Sequence, residues 1–101
     1  MDYIDPVKAS PKNYKTLLEE GDVRMIEMTL PAGTSDIQHS HHHEMVFFIT
    51  GSKVRVHMPD GSSVDLDIPD GHVMAHEPWT HRVENIGKSD IKAIIFERPT
   101  K

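Results

Sequence analysis

The chain predicts an all-β fold, a sandwich or small barrel of about seven or eight short strands. Three observations carry that reading. Apolar residues alternate with polar ones, or run continuously, over segments of only about four to eight residues. Gly, Pro and Asp, the residues of tight turns, punctuate those segments at short intervals. No helical pattern extends beyond about two turns, which is too short to stand by itself.

Element by element, residues 1–13 form a proline-punctuated arm containing DPVKASPK. Tyr14 to Leu18 is read as an edge strand, although Leu17, Leu18 and their glutamate neighbours also suit a short helix. Glu20-Gly21-Asp22 then turns the chain. Ile26, Met28 and Leu30 alternate with Glu27 and Thr29, a half-buried strand stopped by Pro31-Ala32-Gly33. Met45 to Ile49 is a continuous apolar strand ending at Thr50-Gly51-Ser52. Val54, Val56 and Met58 alternate with Arg55 and His57, and Asp60-Gly61 followed by VDLDI marks a hairpin. Pro69-Asp70-Gly71 leads into VMAH, and Gly87 to Asp90 separates the strand from His81 to Ile86 from a last one, Ile91 to Phe96. Met25, Met28, Met58 and Met74 are expected as flexible core filler.

At 101 residues the chain suits one domain, residues 1–101. With no cysteine, it has neither disulfides nor thiolate ligands nor a cysteine nucleophile. A net charge of −5 without a basic cluster argues against nucleic acid and anionic membranes as partners. The sequence shows no signal peptide and no membrane-length apolar run, which favours the cytoplasm.

The chemistry concentrates in HSHHHE, positions 39 to 44. On an extended strand His39 and His41 project from one face, because strand side chains repeat every two residues. His81 is the expected third ligand, on a strand where Val83 and Asn85 share its side. Were the two strands to face each other across a small barrel, three imidazoles would converge on one divalent cation. Imidazole suits iron, nickel and copper as well as zinc, so the ligand types do not choose the metal, and Fe, Zn, Ni and Mn stand as candidates. His42 and His43 are expected at the rim, His57 facing solvent on its strand and His72 in a turn. His43, Glu44 and His76 are the candidate proton carriers, and Trp79 is a candidate roof for the pocket or else an ordinary core or interface residue. Arg55 and Arg82 read as solvent-facing strand charges, with Arg82 turned away from the metal by its place next to His81.

Gly33, five residues, His39-Ser40-His41, then Gly71, His81 and Asn85 together resemble the two motifs of the cupins. That resemblance implies a double-stranded β-helix, or jelly-roll barrel, binding a metal through these histidines. It also implies a homodimer paired through an edge strand. Nearly the full length, from the arm through PDGSSVDLDIPDG to THRVENIG, is similar to small single-domain cupins associated with β-alanine degradation. The cupin glutamate falls at Met45 when counted forward from His39 and at Glu44 when counted back from Gly51. The two registers turn opposite faces of the strand inward. The narrower group lacks this glutamate and places its turn glycine opposite Ser52, which implies the first register, with Met45, Phe47 and Ile49 inward. Glu44 then stands as a candidate fourth ligand or supporting carboxylate.

Three neutral ligands and open positions point to a metal-dependent enzyme, a dioxygenase or isomerase acting on a small carboxylate or enol-forming substrate. The alternative is a non-catalytic module that binds or senses a small molecule.

Overall fold

The computed structural model of the protein describes residues 2–98. The described chain forms one helical turn, α1 (Pro6–Ala9), and the strands β1 (Tyr14–Glu20), β2 (Val23–Leu30), β3 (His39–His41), β4 (His43–Thr50), β5 (Lys53–His57), β6 (Ser63–Asp67), β7 (Val73–His76), β8 (Trp79–Asn85) and β9 (Ile91–Arg98). A five-stranded sheet in the order β1-β2-β9-β4-β7 packs against a four-stranded one in the order β3-β8-β5-β6. All named pairs are antiparallel. This is the expected all-β jelly roll.

The segment from Tyr14 is an edge strand, as expected, with its register shifting between Thr16 and Leu18. The histidine run adds a strand that sequence spacing left uncounted: the chain bends at His42, so HSH pairs with β8 while β4 begins at His43 in the other sheet. Residues 2–13 are not a loose arm. Asp5 caps α1 by accepting from the Val7 N–H at 2.9 Å, and Arg24 holds the same carboxylate at 3.0 Å. Ile4 and Ser40 exchange hydrogen bonds, which seats the arm along β3.

Ile26, Met28 and Leu30 of β2, Val54 and Val56 of β5 and Ile91, Ala93 and Ile95 of β9 fill the space between the sheets. Met58 and Met74 pack against them, but Met25 lies on the opposite side of β2 from Ile26 and faces outward, a correction to its assignment as core. The register of β4 also corrects the expectation. Glu44, Val46 and Phe48 are buried, whereas Met45, Phe47 and Ile49 are exposed at 59%, 44% and 43%. Gly51 explains the outcome. A Cβ there would lie 1.9 Å from the carbonyl oxygen of Ile68, so the turn glycine belongs at position 51 and counting back from it turns Glu44 inward.

Candidate metal centre

The antiparallel register of β3 and β8 sets His39 directly opposite His81, and His41 follows His39 by two residues on the same face. The strands are neighbours within one sheet; they do not face each other across the barrel as the sequence suggested. Convergence follows all the same, with ring centroids 4.7 Å apart for His39 and His41, 4.9 Å for His39 and His81, and 5.2 Å for His41 and His81. One nitrogen from each ring lies within 4.8 Å of the others, and all three residues are buried. They can therefore hold a metal ion.

The hydrogen bonds around the triad test that fit. His39 Nδ1 lies 2.7 Å from the Ile37 carbonyl oxygen, and His41 Nδ1 lies 3.0 Å from Glu97 Oε2. Both partners are acceptors, so each ring carries its proton on Nδ1 and turns a bare Nε2 lone pair inward. Those two Nε2 atoms lie 3.1 Å apart. Two lone pairs at that distance repel unless a cation lies between them, either a proton on His41 Nε2 shared with His39 or a metal ion. Two ligands roughly 2.0–2.1 Å from one metal would be separated by about 2.8–3.4 Å. Both ring nitrogens of His81 are buried and have no hydrogen-bond partner in the protein. An orphaned buried imidazole is costly, and a metal bond removes the deficit.

Electrostatics divide the triad. Burial, reinforced by the neighbouring His41, pushes His39 down to about 4. Burial and the two other histidines hold His81 well below the ordinary range. Both are thus neutral near pH 7, the form that ligates. Burial works against a charged His41 too, but the hydrogen bond it donates to Glu97 and the charges of Glu44, Glu97 and Asp36 outweigh it and raise this residue. Glu97 itself is held below the usual carboxylate range: burial opposes ionisation, while His41, the His42 N–H and Tyr3 stabilise the anion.

Glu97 and Asp36 escaped sequence reasoning. Glu97 accepts from His42 N–H at 2.9 Å and from the Tyr3 hydroxyl at 2.8 Å, tying the arm to a histidine of the triad. Asp36 accepts from the Tyr14 hydroxyl at 2.6 Å and from Val83 N–H at 2.7 Å, and burial pushes it up to about 6 against those bonds. Its signal was faint: an acid three residues before the first histidine.

Among the proton-carrier candidates, Glu44 is buried and accepts from Trp79 Nε1 at 2.6 Å. It is not one of the converging donors. Burial raises its pKa, partly offset by His41 and Trp79. His43 precedes it on the strand and points outward into solvent, so alternation removes it from the site. His76 stacks on Trp79, rings 3.6 Å apart, and lies outside the cavity that Trp79 lines. His42 stacks on Tyr3, and His57 pairs with Glu84 at 3.0 Å. Arg55 is paired with Asp65, and Arg82 reaches the Ser35 hydroxyl, so both are surface groups as expected.

A cavity of about 70 Å³ runs from His41, His81, Glu44 and Trp79 into the apolar barrel past Val46, Phe48, Val54 and Met74. Trp79 lies 4.1 Å from the His81 ring and lines this cavity, and it also packs against the core.

No family model matches the chain, and no curated protein matches it. Solved structures do. A cupin domain from Bordetella pertussis Tohama I superposes with a TM-score of 0.75 at 19% identity, covering 99% of both chains. An RmlC-like cupin family protein with a double-stranded β-helix fold from Methanocaldococcus jannaschii gives 0.65 at 14% identity, over 85% of this chain and 78% of that one. A conserved protein with a double-stranded β-helix domain from Klebsiella pneumoniae gives 0.63 at 20%, over 96% and 84%. The likeness shows that the fold is the double-stranded β-helix of the cupins.

Proposed function

We propose that this is a cytosolic, single-domain metal protein in which His39, His41 and His81 bind one divalent cation, Fe, Zn, Ni or Mn, whose open positions take a small ligand. The observation that carries the reading is the orphaned His81 ring beside the Nε2 atoms of His39 and His41, 3.1 Å apart. When bound, the cation supplies Lewis acidity undiminished by its three neutral ligands.

The chain's own groups do the rest. Ile37 and Glu97 fix the tautomers of His39 and His41 and thereby aim their lone pairs. Trp79 and the apolar walls exclude bulk water. Glu44, raised by burial and facing the cavity, is the residue placed to hold or move a proton there. A cavity of about 70 Å³ exceeds the roughly 10–15 Å³ that one water needs but falls far below the roughly 300 Å³ of larger ligand sites. The ligand therefore has few heavy atoms and an apolar body. A dioxygenation or isomerisation of a small carboxylate or enol-forming molecule fits these limits, and the acids of β-alanine degradation are a first set to try. A homodimer would leave this site intact, because one chain supplies all three ligands.

A specific observation favours a second reading, a non-catalytic binding module. No Lys or Arg lines the cavity among the described residues, so a carboxylate would find its only counter-charge in the cation. Metal analysis of untagged protein beside a His39→Ala/His41→Ala variant tests the common premise. Near-stoichiometric metal that the variant lacks supports it; no metal in either, and no stabilisation on titration, would overturn it. Oxygen uptake by iron-loaded protein with small acids then separates the readings, and no turnover with any first-row metal leaves the binding module.

A further inference from the structure

β3 is the end strand of the four-stranded sheet, and residues 3–5 lie along its outer edge. Ile4 accepts from the Ser40 N–H at 2.7 Å and donates to the Ser40 hydroxyl at 3.0 Å. Tyr3 stacks on His42, with ring centroids 3.9 Å apart. Its hydroxyl donates to Glu97 Oε1 at 2.8 Å and accepts from Arg24 at 3.0 Å, while Arg24 also grips both oxygens of Asp5. One buried carboxylate therefore serves two segments: Glu97 Oε1 holds the arm and Oε2 holds His41.

The arm is attached unevenly. Pro6 and Ser10 are fully buried and Val7 packs against the core, which fixes the chain from Pro6 onward. Residues 3–5 are exposed or half-buried, Tyr3 at 40%, and are held by hydrogen bonds and one ring stack. Segments held in this way open at low cost. Beside them a groove of about 220 Å³, lined by Tyr3, Ser40, His41, His42 and Thr80, reaches the triad from outside. A divalent cation arrives with its water. The inner cavity, walled by Val46, Phe48 and Val54, offers such an ion little in exchange for that water, whereas the groove offers hydroxyl and imidazole groups.

Granted a cation on His39, His41 and His81, we propose that residues 3–5 are a strap across its entrance, with Tyr3 as the latch, which lifts for the cation to enter or leave. The apolar ligand keeps its own path through the cavity, so cation and ligand reach His41 from different sides. Lifting the strap takes the Tyr3 donor away from Glu97 and frees the carboxylate that orients His41. Docking of the strap and binding of the cation therefore favour each other, by the same factor in both directions.

Tyr3→Phe keeps the ring stack and removes the latch. The full chain, loaded with stoichiometric zinc, is mixed with an excess of a chelating dye and the release followed by absorbance. Tyr3→Phe is expected to release zinc about 10-fold faster, the lower end for losing a hydrogen bond to a charged group. The Ser40 N–H, which donates to Ile4, reads the docked strap directly, and its hydrogen exchange should quicken by a similar factor. Ile26→Val, which loosens the core without touching strap or groove, should change neither rate. Should Tyr3→Phe fail to fold, Asp5→Asn, which weakens the grip of Arg24, takes its place with the same expectation. Zinc released at one rate by wild type and variant, or faster Ser40 exchange without faster release, overturns the strap while the metal site stands. A wild-type chain that takes up no more zinc than His39→Ala/His41→Ala overturns the metal site, and the strap with it.

Discussion

Glu97 decides which nitrogen of His41 faces the triad, and it does so from 56 residues away in sequence. Its carboxylate holds the Nδ1 proton and leaves Nε2 free. Glu97→Gln keeps the shape but weakens that acceptor, so metal affinity should fall about 10- to 100-fold, the usual cost of removing such a partner. Competition with a chelating dye measures this, and an unchanged affinity would show that Glu97 does not tune the ligand. His39 makes a second prediction, for metal-free protein. Its folded value of about 4 lies below the ordinary 6.5, so between these pH values the unfolded chain binds a proton that the native one refuses. Stability from this residue is complete above pH 6.5, is lost as pH falls, and levels off below about 4. The span is worth about 3 kcal/mol. The advantage of wild type over His39→Gln should therefore shrink by about 3 kcal/mol from pH 7 to pH 4 in denaturant titrations with chelator present. Parallel pH curves would contradict it.

β4 shows at the scale of an element what a sequence can and cannot say. That MVFFI is a strand was legible, and so were the same-face placement of His39 with His41 and of His81 with Val83 and Asn85. Which side of β4 faces inward was not. Met45, Phe47 and Ile49 are as apolar as Val46 and Phe48, so polarity gives no direction. The partners Glu97 and Asp36 were illegible for another reason: their contacts depend on strand pairing between distant segments, not on local spacing. Two adjacent phenylalanines test the register. Phe48→Ala should cost about 3–5 kcal/mol by opening a void between the sheets. In dilute protein Phe47→Ala should cost roughly 1 kcal/mol or less, because its ring already meets solvent. Equal losses at both positions would contradict the observed faces of β4.

For the whole molecule, the triad is a local deficit that a cation converts into global stability. Without metal, the native chain buries a ring with neither nitrogen bonded beside two ring nitrogens that must share one proton or repel, costs that the unfolded chain relieves with water. With metal, the same three residues become the strongest link between β3 and β8, a pairing of only three residues. Saturation at about 1,000 times the dissociation constant adds about 4 kcal/mol by mass action. For a domain of this size that raises Tm by roughly 16 °C or more. His81→Ala should separate the two effects. It leaves a void but also removes two unsatisfied nitrogens, so metal-free variant and metal-free wild type should lie within about 2 kcal/mol of each other. Added zinc or nickel should then stabilise the wild type alone. Calorimetry with and without chelator would read both quantities. Equal metal-induced shifts in the two proteins would place the cation somewhere other than the triad. A metal-free variant destabilised by about 4 kcal/mol or more would mean instead that His81 is a core residue serving the fold by packing, its nitrogens costing little.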